Sequence, residues 1–140
     1  MSNDDALERN FRVLVVEDST NLQLLLAAML HEIPGVDVVA HVTTEEEAIQ
    51  WLGTASTDLA IVDLELASGT GFGVLKALSE QEGDGLNLKA VVFSNYSNAS
   101  IRRRCLRMGA QAFFDKSFQI DELLDFVQGE ASGKSRRSMV

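Results

Sequence analysis

This sequence has little that could cross-link it, break it into pieces or hold it in a bilayer. Cys105 is the only cysteine in 140 residues, so no intrachain disulfide can form, which fits a reducing compartment. Pro34 is the only proline, and no proline-, glycine- or serine-rich stretch interrupts the chain as an internal linker. No apolar run approaches the roughly 18 residues of a membrane span. Basic residues are scarce: 12 Lys and Arg against 21 Asp and Glu give a formal charge of −9. That balance disfavours nonspecific nucleic-acid binding and reads as a solvated acidic surface. Met1–Asn10 is polar and acidic, the opposite of a basic-then-apolar secretory leader, so a cytoplasmic location is expected. What remains is enough chain for one domain with its own core.

The apolar residues come in short runs separated by helical patterns. Arg12–Glu17, Val36–Val42, Leu59–Val62, Ala90–Phe93 and Ala112–Phe114 are strand-length and nearly continuous, as strands buried on both faces should be. Leu22, Leu25, Leu26, Met29, Leu30 and Ile33 recur at helical spacing, and Pro34-Gly35 ends that helix. Thr44-Glu45-Glu46-Glu47 is a capping box opening a second helix through Ala48, Ile49 and Leu52. Phe72, Leu75 and Leu78 mark a third, ending near Gly83 and Gly85. Ser97 or Ser100 is expected to cap a fourth, through Ile101, Cys105 and Met108 to Gly109. Leu123, Leu124 and Val127 share one face of a fifth. This alternation predicts an α/β fold: a (βα)5 doubly wound, five-stranded parallel sheet with helices on both faces. The expected boundaries are an N-terminal extension over 1–10, one domain over 11–128, and a polar basic tail over 129–140, expected to be disordered.

In an open parallel sheet, functional groups gather at the carboxyl ends of the strands. Here those ends are Glu17-Asp18, Asp63, Ser94 and Asp115-Lys116, which bring carboxylates, a hydroxyl and an ammonium to one rim. Crowded carboxylates need compensation, and a hard divalent cation such as Mg²⁺ (or Mn²⁺) supplies it through oxygen ligands. Lys116 offers a point charge for an incoming phosphoryl group, and Asp63 offers a nucleophile that would form an acyl phosphate. Phosphoryl transfer needs mainly positioning and charge neutralisation, and such a rim provides both.

Glu17-Asp18, Asp63, Ser94 and Lys116 in this order, with Gly71 eight residues after Asp63 and Phe113 three before Lys116, resemble the signature of response-regulator receivers of the chemotaxis type. The resemblance covers about residues 11 to 128 and implies a flavodoxin-like receiver fold. It implies that Asp63 is the phosphoacceptor, that Asp18, Asp63 and the backbone carbonyl of Glu65 bind Mg²⁺ directly, and that Glu17 acts largely through water. It further implies that Ser94 hydrogen-bonds the phosphoryl group, that Phe113 changes rotamer on activation, and that Glu65 and Tyr96 flank the path of the hydrolytic water and set the lifetime. The implied partners are a sensor histidine kinase or phosphotransfer protein and a downstream protein at the face of helix 4, strand 5 and helix 5, with a homodimer also open. The implied role is that of a signalling protein and not an enzyme, with no output domain attached. Two positions depart from the pattern. Ala67 stands where receivers commonly carry proline, and Lys116-Ser117 stands where Lys-Pro is common, usually with a cis bond. A non-proline cis bond costs about 2.5–4 kcal/mol, so 116–117 is expected to be trans, with Ser117 as the N-cap of the last helix.

Two competing readings share these residues. A haloacid-dehalogenase-type phosphatase would place an Asp two residues after the nucleophile, where this chain has Glu65. A phosphate-independent binding module on the same fold would have a broken acidic site. Other features read as structure: Gly69 and Gly71 as loop positions with φ > 0, His31 and His41 as surface or helix-end residues, and Cys105 as a core thiol. Gly-Thr-Gly-Phe-Gly lacks the placement of a dinucleotide fingerprint. The run Arg102-Arg103-Arg104 with Arg107 reads as a solvated helix face or a docking surface; with Lys134, Arg136 and Arg137 it lacks any nucleic-acid recognition motif.

Overall fold

Five apolar runs form one parallel sheet in the computed structural model, which describes residues 10–54, 56–81, 88–96 and 98–139, with backbone alone at 53–54 and 134–139. The strands are β1 Phe11–Val16, β2 Val36–Val42, β3 Leu59–Val62, β4 Lys89–Ser94 and β5 Ala112–Asp115, side by side as β2-β1-β3-β4-β5. The helices are α1 Thr20–His31, α2 Glu45–Thr54, α3 Gly71–Glu80, α4 Ala99–Arg107 and α5 Ile120–Met139. The (βα)5 expectation therefore holds.

Alternate residues of each central strand enter different cores. Leu14, Val16, Ala60, Val62 and Val92 pack with Ala48 and Leu52 of α2, Val74 and Leu75 of α3, and Cys105 of α4. Val13, Val15, Leu59, Ile61, Val91 and Phe93 pack with Leu26 and Leu30 of α1 and Leu123 and Val127 of α5. Burial on both faces is the reason the strands read as continuous apolar runs. β2, at the edge, is largely half-buried. None of the described helices is long and apolar enough to cross a membrane.

Helix ends follow local chemistry, with three differences from expectation. The Thr44 box forms: Thr44 Oγ1 accepts from the Glu47 amide at 3.1 Å, and Glu47 reaches back to the Thr43 amide at 3.0 Å. α4 is capped by Asn98, whose Oδ1 accepts from the Ile101 amide at 2.9 Å. Ser100 lies inside the helix, and Ser97, like Gly83 and Gly85, is outside the described residues. Asn caps as well as Ser does, and its position sets α4 to begin at Ala99. Ser117 is not the cap of α5, which begins only at Ile120. The Ser117 amide instead donates to Asp115 Oδ1 at 2.7 Å, closing a turn before the helix. Finally, the backbone of α5 runs on to Met139, through the tail expected to be disordered. Ala131 is buried in the core, and Glu130 pairs with Lys89 at 2.8 Å, so packing extends past residue 128 despite the polar composition.

Candidate functional site

The chain leaves β1 for β2 on one side and returns to β3 on the other, so the strand order reverses between β1 and β3. In such sheets the carboxyl ends that flank the reversal are where ligands bind. Register sets the geometry: Val16 lies opposite Val62, and the Asp63 amide donates to the Val16 carbonyl at 2.9 Å. Glu17 and Asp63 follow immediately and become neighbours, although 46 residues separate them. Ser94 lies opposite Asp115, and the Lys116 amide donates to the Ser94 carbonyl at 3.1 Å, which brings Lys116 to the same rim.

Glu17, Asp63 and Ser94 are buried, at 2%, 4% and 1% exposure, so the rim carries charge that water does not fully compensate. Lys116 supplies part of that compensation: its Nζ lies 2.7 Å from Glu17 Oε1 and 2.7 Å from Asp63 Oδ2. The other Glu17 oxygen accepts from the Ser19 amide at 2.9 Å, and Asp63 Oδ1 accepts from the Glu65 amide at 3.3 Å. Burial pushes the Glu17 carboxyl above its ordinary range, against the hydrogen bond from Lys116. Burial pulls the Lys116 ammonium down, but its hydrogen bonds to Asp63 and Glu17 together outweigh this and hold it above the ordinary lysine range. Asp18 is exposed at the mouth, and carboxylate oxygens of Glu17, Asp18 and Asp63 lie within 4.8 Å of one another. Three hard oxygen donors facing one ammonium fit a hard divalent cation.

At the mouth, the exposed Tyr96 donates a hydrogen bond to the Glu65 carboxylate, which raises the phenol above its usual value. The Tyr96 amide donates to Ser94 Oγ at 3.3 Å. Phe113 is buried, and the Arg102 guanidinium lies 4.8 Å from its ring centroid. The predicted residues thus fall into three places: Glu17, Asp63 and Lys116 in direct contact with Asp18 beside them, Ser94 with Tyr96 and Glu65 around the opening, and Phe113 buried on β5.

The loop after Asp63 is tied to the corner between β2 and α2. The Ala67 amide donates to the Thr43 carbonyl at 3.0 Å, the Glu45 amide to the Ser68 carbonyl at 3.0 Å, and the Thr70 amide to Glu45 Oε1 at 3.0 Å. Gly69 has φ +77°, as its loop role requires. Gly71 does not have positive φ. It is needed because a Cβ there would stand 2.3 Å from the Asp63 carbonyl oxygen. No cis peptide occurs among the described residues, so Lys116-Ser117 is trans as expected. Sequence reading put Asp115, which is 3% exposed, on the rim without a role, and missed its partner Gln119, whose Oε1 accepts from the Asp115 amide at 2.8 Å. A polar residue just ahead of a helix gives no sequence signal that it folds back onto a strand end.

Comparison with known proteins follows the same lines. The family model described as response regulator receiver domain matches residues 13–128. Protein-glutamate methylesterase/protein-glutamine glutaminase 1 of Rhodospirillum rubrum is 36% identical over 101 residues, covering 71% of this chain and 25% of that protein. Fimbriae Z protein of Salmonella typhimurium is 27% identical over 124 residues, covering 88% of this chain and 57% of that protein. The chain thus spans from about a quarter to somewhat over half the length of these relatives. Among solved structures, the response regulator domain of Thermotoga maritima CheB matches with TM-score 0.71 and 25% identity, covering 94% of this chain and 97% of that one. The receiver domain of the Pseudomonas aeruginosa sensor histidine kinase PA1611, solved with a magnesium ion in its active site cleft, matches in fold with TM-score 0.73 and 23% identity, covering 86% and 96%.

Proposed function

Since the chain belongs to the response regulator receiver domain family, whose fold is that of phosphoacceptor signalling proteins, we propose that Asp63 is its phosphoacceptor. The observation that carries this reading is the ammonium of Lys116 held 2.7 Å from a buried aspartate at the strand-order reversal. A histidine kinase or phosphotransfer protein would present a phosphohistidine. Asp63 Oδ attacks phosphorus, the new O–P bond forms as the P–N bond breaks, and the imidazole leaves with the electron pair. Lys116 neutralises charge on the phosphoryl oxygens, and the Ser94 hydroxyl donates to one of them. Asp18, Asp63 and the Glu65 carbonyl would hold Mg²⁺ (or Mn²⁺) directly, with Glu17 acting through water. Bound there, the ion supplies further charge neutralisation. The magnesium of the PA1611 receiver and the grouping of Glu17, Asp18 and Asp63 support this assignment.

A phosphorylated Asp63 draws the Ser94 hydroxyl toward it, and Phe113 and the α4–β5–α5 face report the change to a downstream protein. Tyr96 shields the acyl phosphate from in-line water, and Glu65 modulates that access. The work of such a domain is intracellular signalling, so we assign it to the cytoplasm. The family match favours this reading over the phosphatase alternative. The test is incubation with acetyl phosphate and Mg²⁺, with intact mass as readout. One hydroxylamine-labile phosphoryl group on the native chain and none on Asp63→Asn is the expected result. No gain, or an equal gain on Asp63→Asn, would overturn the assignment.

A further inference from the structure

Lys116 reaches Asp63 through a turn that lacks proline, and that turn is held from outside. The Lys116 amide is bonded to Ser94, the Ser117 amide to the Asp115 carboxylate, and the Gln119 amide donates to the Asp115 carbonyl at 2.9 Å. The Gln119 side chain folds back so that its Oε1 accepts from the Asp115 amide at 2.8 Å. The same oxygen accepts from Arg102 Nη2 at 3.1 Å. Arg102 belongs to α4, and its guanidinium covers the Phe113 ring at 4.8 Å, within the range of a cation–π contact. One side chain of α4 therefore touches β5 through the Phe113 ring and the Lys116 turn through Gln119.

The other arginines of this run do different things. Arg104 lies 4.0 Å from the centroid of the Phe72 ring, on α3, while Arg103 and Arg107 are exposed. Neither a solvated face nor a docking patch describes Arg102. A planar fork that stacks on a ring and donates from its edge fits both contacts at once, and a lysine could not make them together.

We propose that Arg102 is a positioning residue for Lys116: by bridging Phe113 and Gln119 it makes the aim of the lysine at Asp63 depend on where α4 sits. This rests on the reading of Asp63 and Lys116 as the phosphoacceptor pair. The coupling works in both directions. A partner that moves α4 releases Gln119 and loosens the turn, and a phosphoryl group that pulls Lys116 forward tugs on Arg102 and hence on Phe113.

Arg102→Ala, Gln119→Leu, the double variant and Arg103→Ala separate this from simple loss of charge. Misplacing a reacting group by about 1 Å costs up to roughly 100-fold, and a loosened turn should cost part of that, about 10-fold in the rate of phosphorylation by acetyl phosphate at saturating Mg²⁺. Arg102→Ala and Gln119→Leu should each show this loss and the double variant no more, while Arg103→Ala keeps the native rate. In the unphosphorylated protein, the Lys116 Nζ resonance in ¹⁵N spectra should shift and broaden in both single variants and stay unchanged in Arg103→Ala. A native rate and native Lys116 signal in Arg102→Ala would overturn the proposal. So would losses that multiply in the double variant, or an equal loss in Arg103→Ala. If the native chain takes up no phosphate, the phosphoacceptor reading fails, and the Lys116 signal still decides whether Arg102 positions the lysine.

Discussion

Replacing Lys116 with Met removes the ammonium that compensates two buried carboxylates and leaves the shape of the stem nearly intact. Glu17 and Asp63 would then remain at 2% and 4% exposure with their shared cation gone. Removing one partner from a fully buried ion pair costs about 3–5 kcal/mol. The Lys116 side chain is 14% exposed and the pocket opens past Asp18, so the lower end applies, about 3 kcal/mol. For a chain of this size that is roughly 12 °C in Tm. The sole tryptophan, Trp51, is half-buried with Nε1 donating to Thr57 Oγ1 at 3.2 Å, and it gives the fluorescence signal for a melt in EDTA. Saturating Mg²⁺ should restore most of the loss, since ligand at about 100 times Kd contributes about 2.7 kcal/mol. The pH dependence follows from Glu17, whose carboxyl burial already holds above 4.5. A raised carboxyl favours the fold when protonated, so its contribution is full below the unfolded value and is lost as pH rises through the folded value. Without the ammonium the folded value rises further, and the penalty should be greatest near about pH 7.5 and shrink toward about pH 5. A variant that melts with the native protein in EDTA at neutral pH, or whose penalty is unchanged at low pH, would refute the reasoning.

Gly71→Ala should cost about 2–3 kcal/mol in urea unfolding, because its Cβ would stand 2.3 Å from the Asp63 carbonyl oxygen and 2.9 Å from Leu64 Cα. It should also slow phosphorylation, since the displaced backbone carries Asp63; native stability would show that the loop yields freely. Tyr96→Ala should shorten the lifetime of the phosphorylated form, measured as loss of label after the donor is removed, and an equal or longer lifetime would rule out shielding. Cys105 is fully buried, and burial pushes its thiol up against the pull of Arg104. At about pH 8 it should react with a thiol reagent only as the chain unfolds in urea, and prompt reaction of the native protein would contradict the packing.

The sheet was legible because strands covered on both faces cannot alternate, and the site was legible because a parallel sheet presents its strand ends together. Once Val16 pairs with Val62, Glu17 and Asp63 have no choice but to meet. Contacts set by close approach were not legible. Gly71 reads as a loop glycine until the Asp63 carbonyl is seen beneath it, and Asn98 caps α4 where Ser100, which looks equally good as a cap, lies inside the helix. Arg102 reads as one charge among four until Phe113 and Gln119 surround it. Composition gave no sign that packing reaches past residue 128, where Ala131 and Glu130 find partners that their polar neighbours give no reason to expect.

The hydrogen bond from Ala67 to Thr43 uses an amide proton that a proline would not have. Proline restricts a loop in every state of the chain, whereas a hydrogen bond restricts it only while its acceptor stays in place. Stiffness in the loop after Asp63 is therefore conditional on the corner where β2 meets α2. When that corner frays, the amides of Ala67, Glu45 and Thr70 should exchange with solvent together, in one local opening well below the free energy of global unfolding. The chemistry proposed for Asp63 would then carry a second clock, set by the lifetime of a corner about twenty residues earlier in the chain.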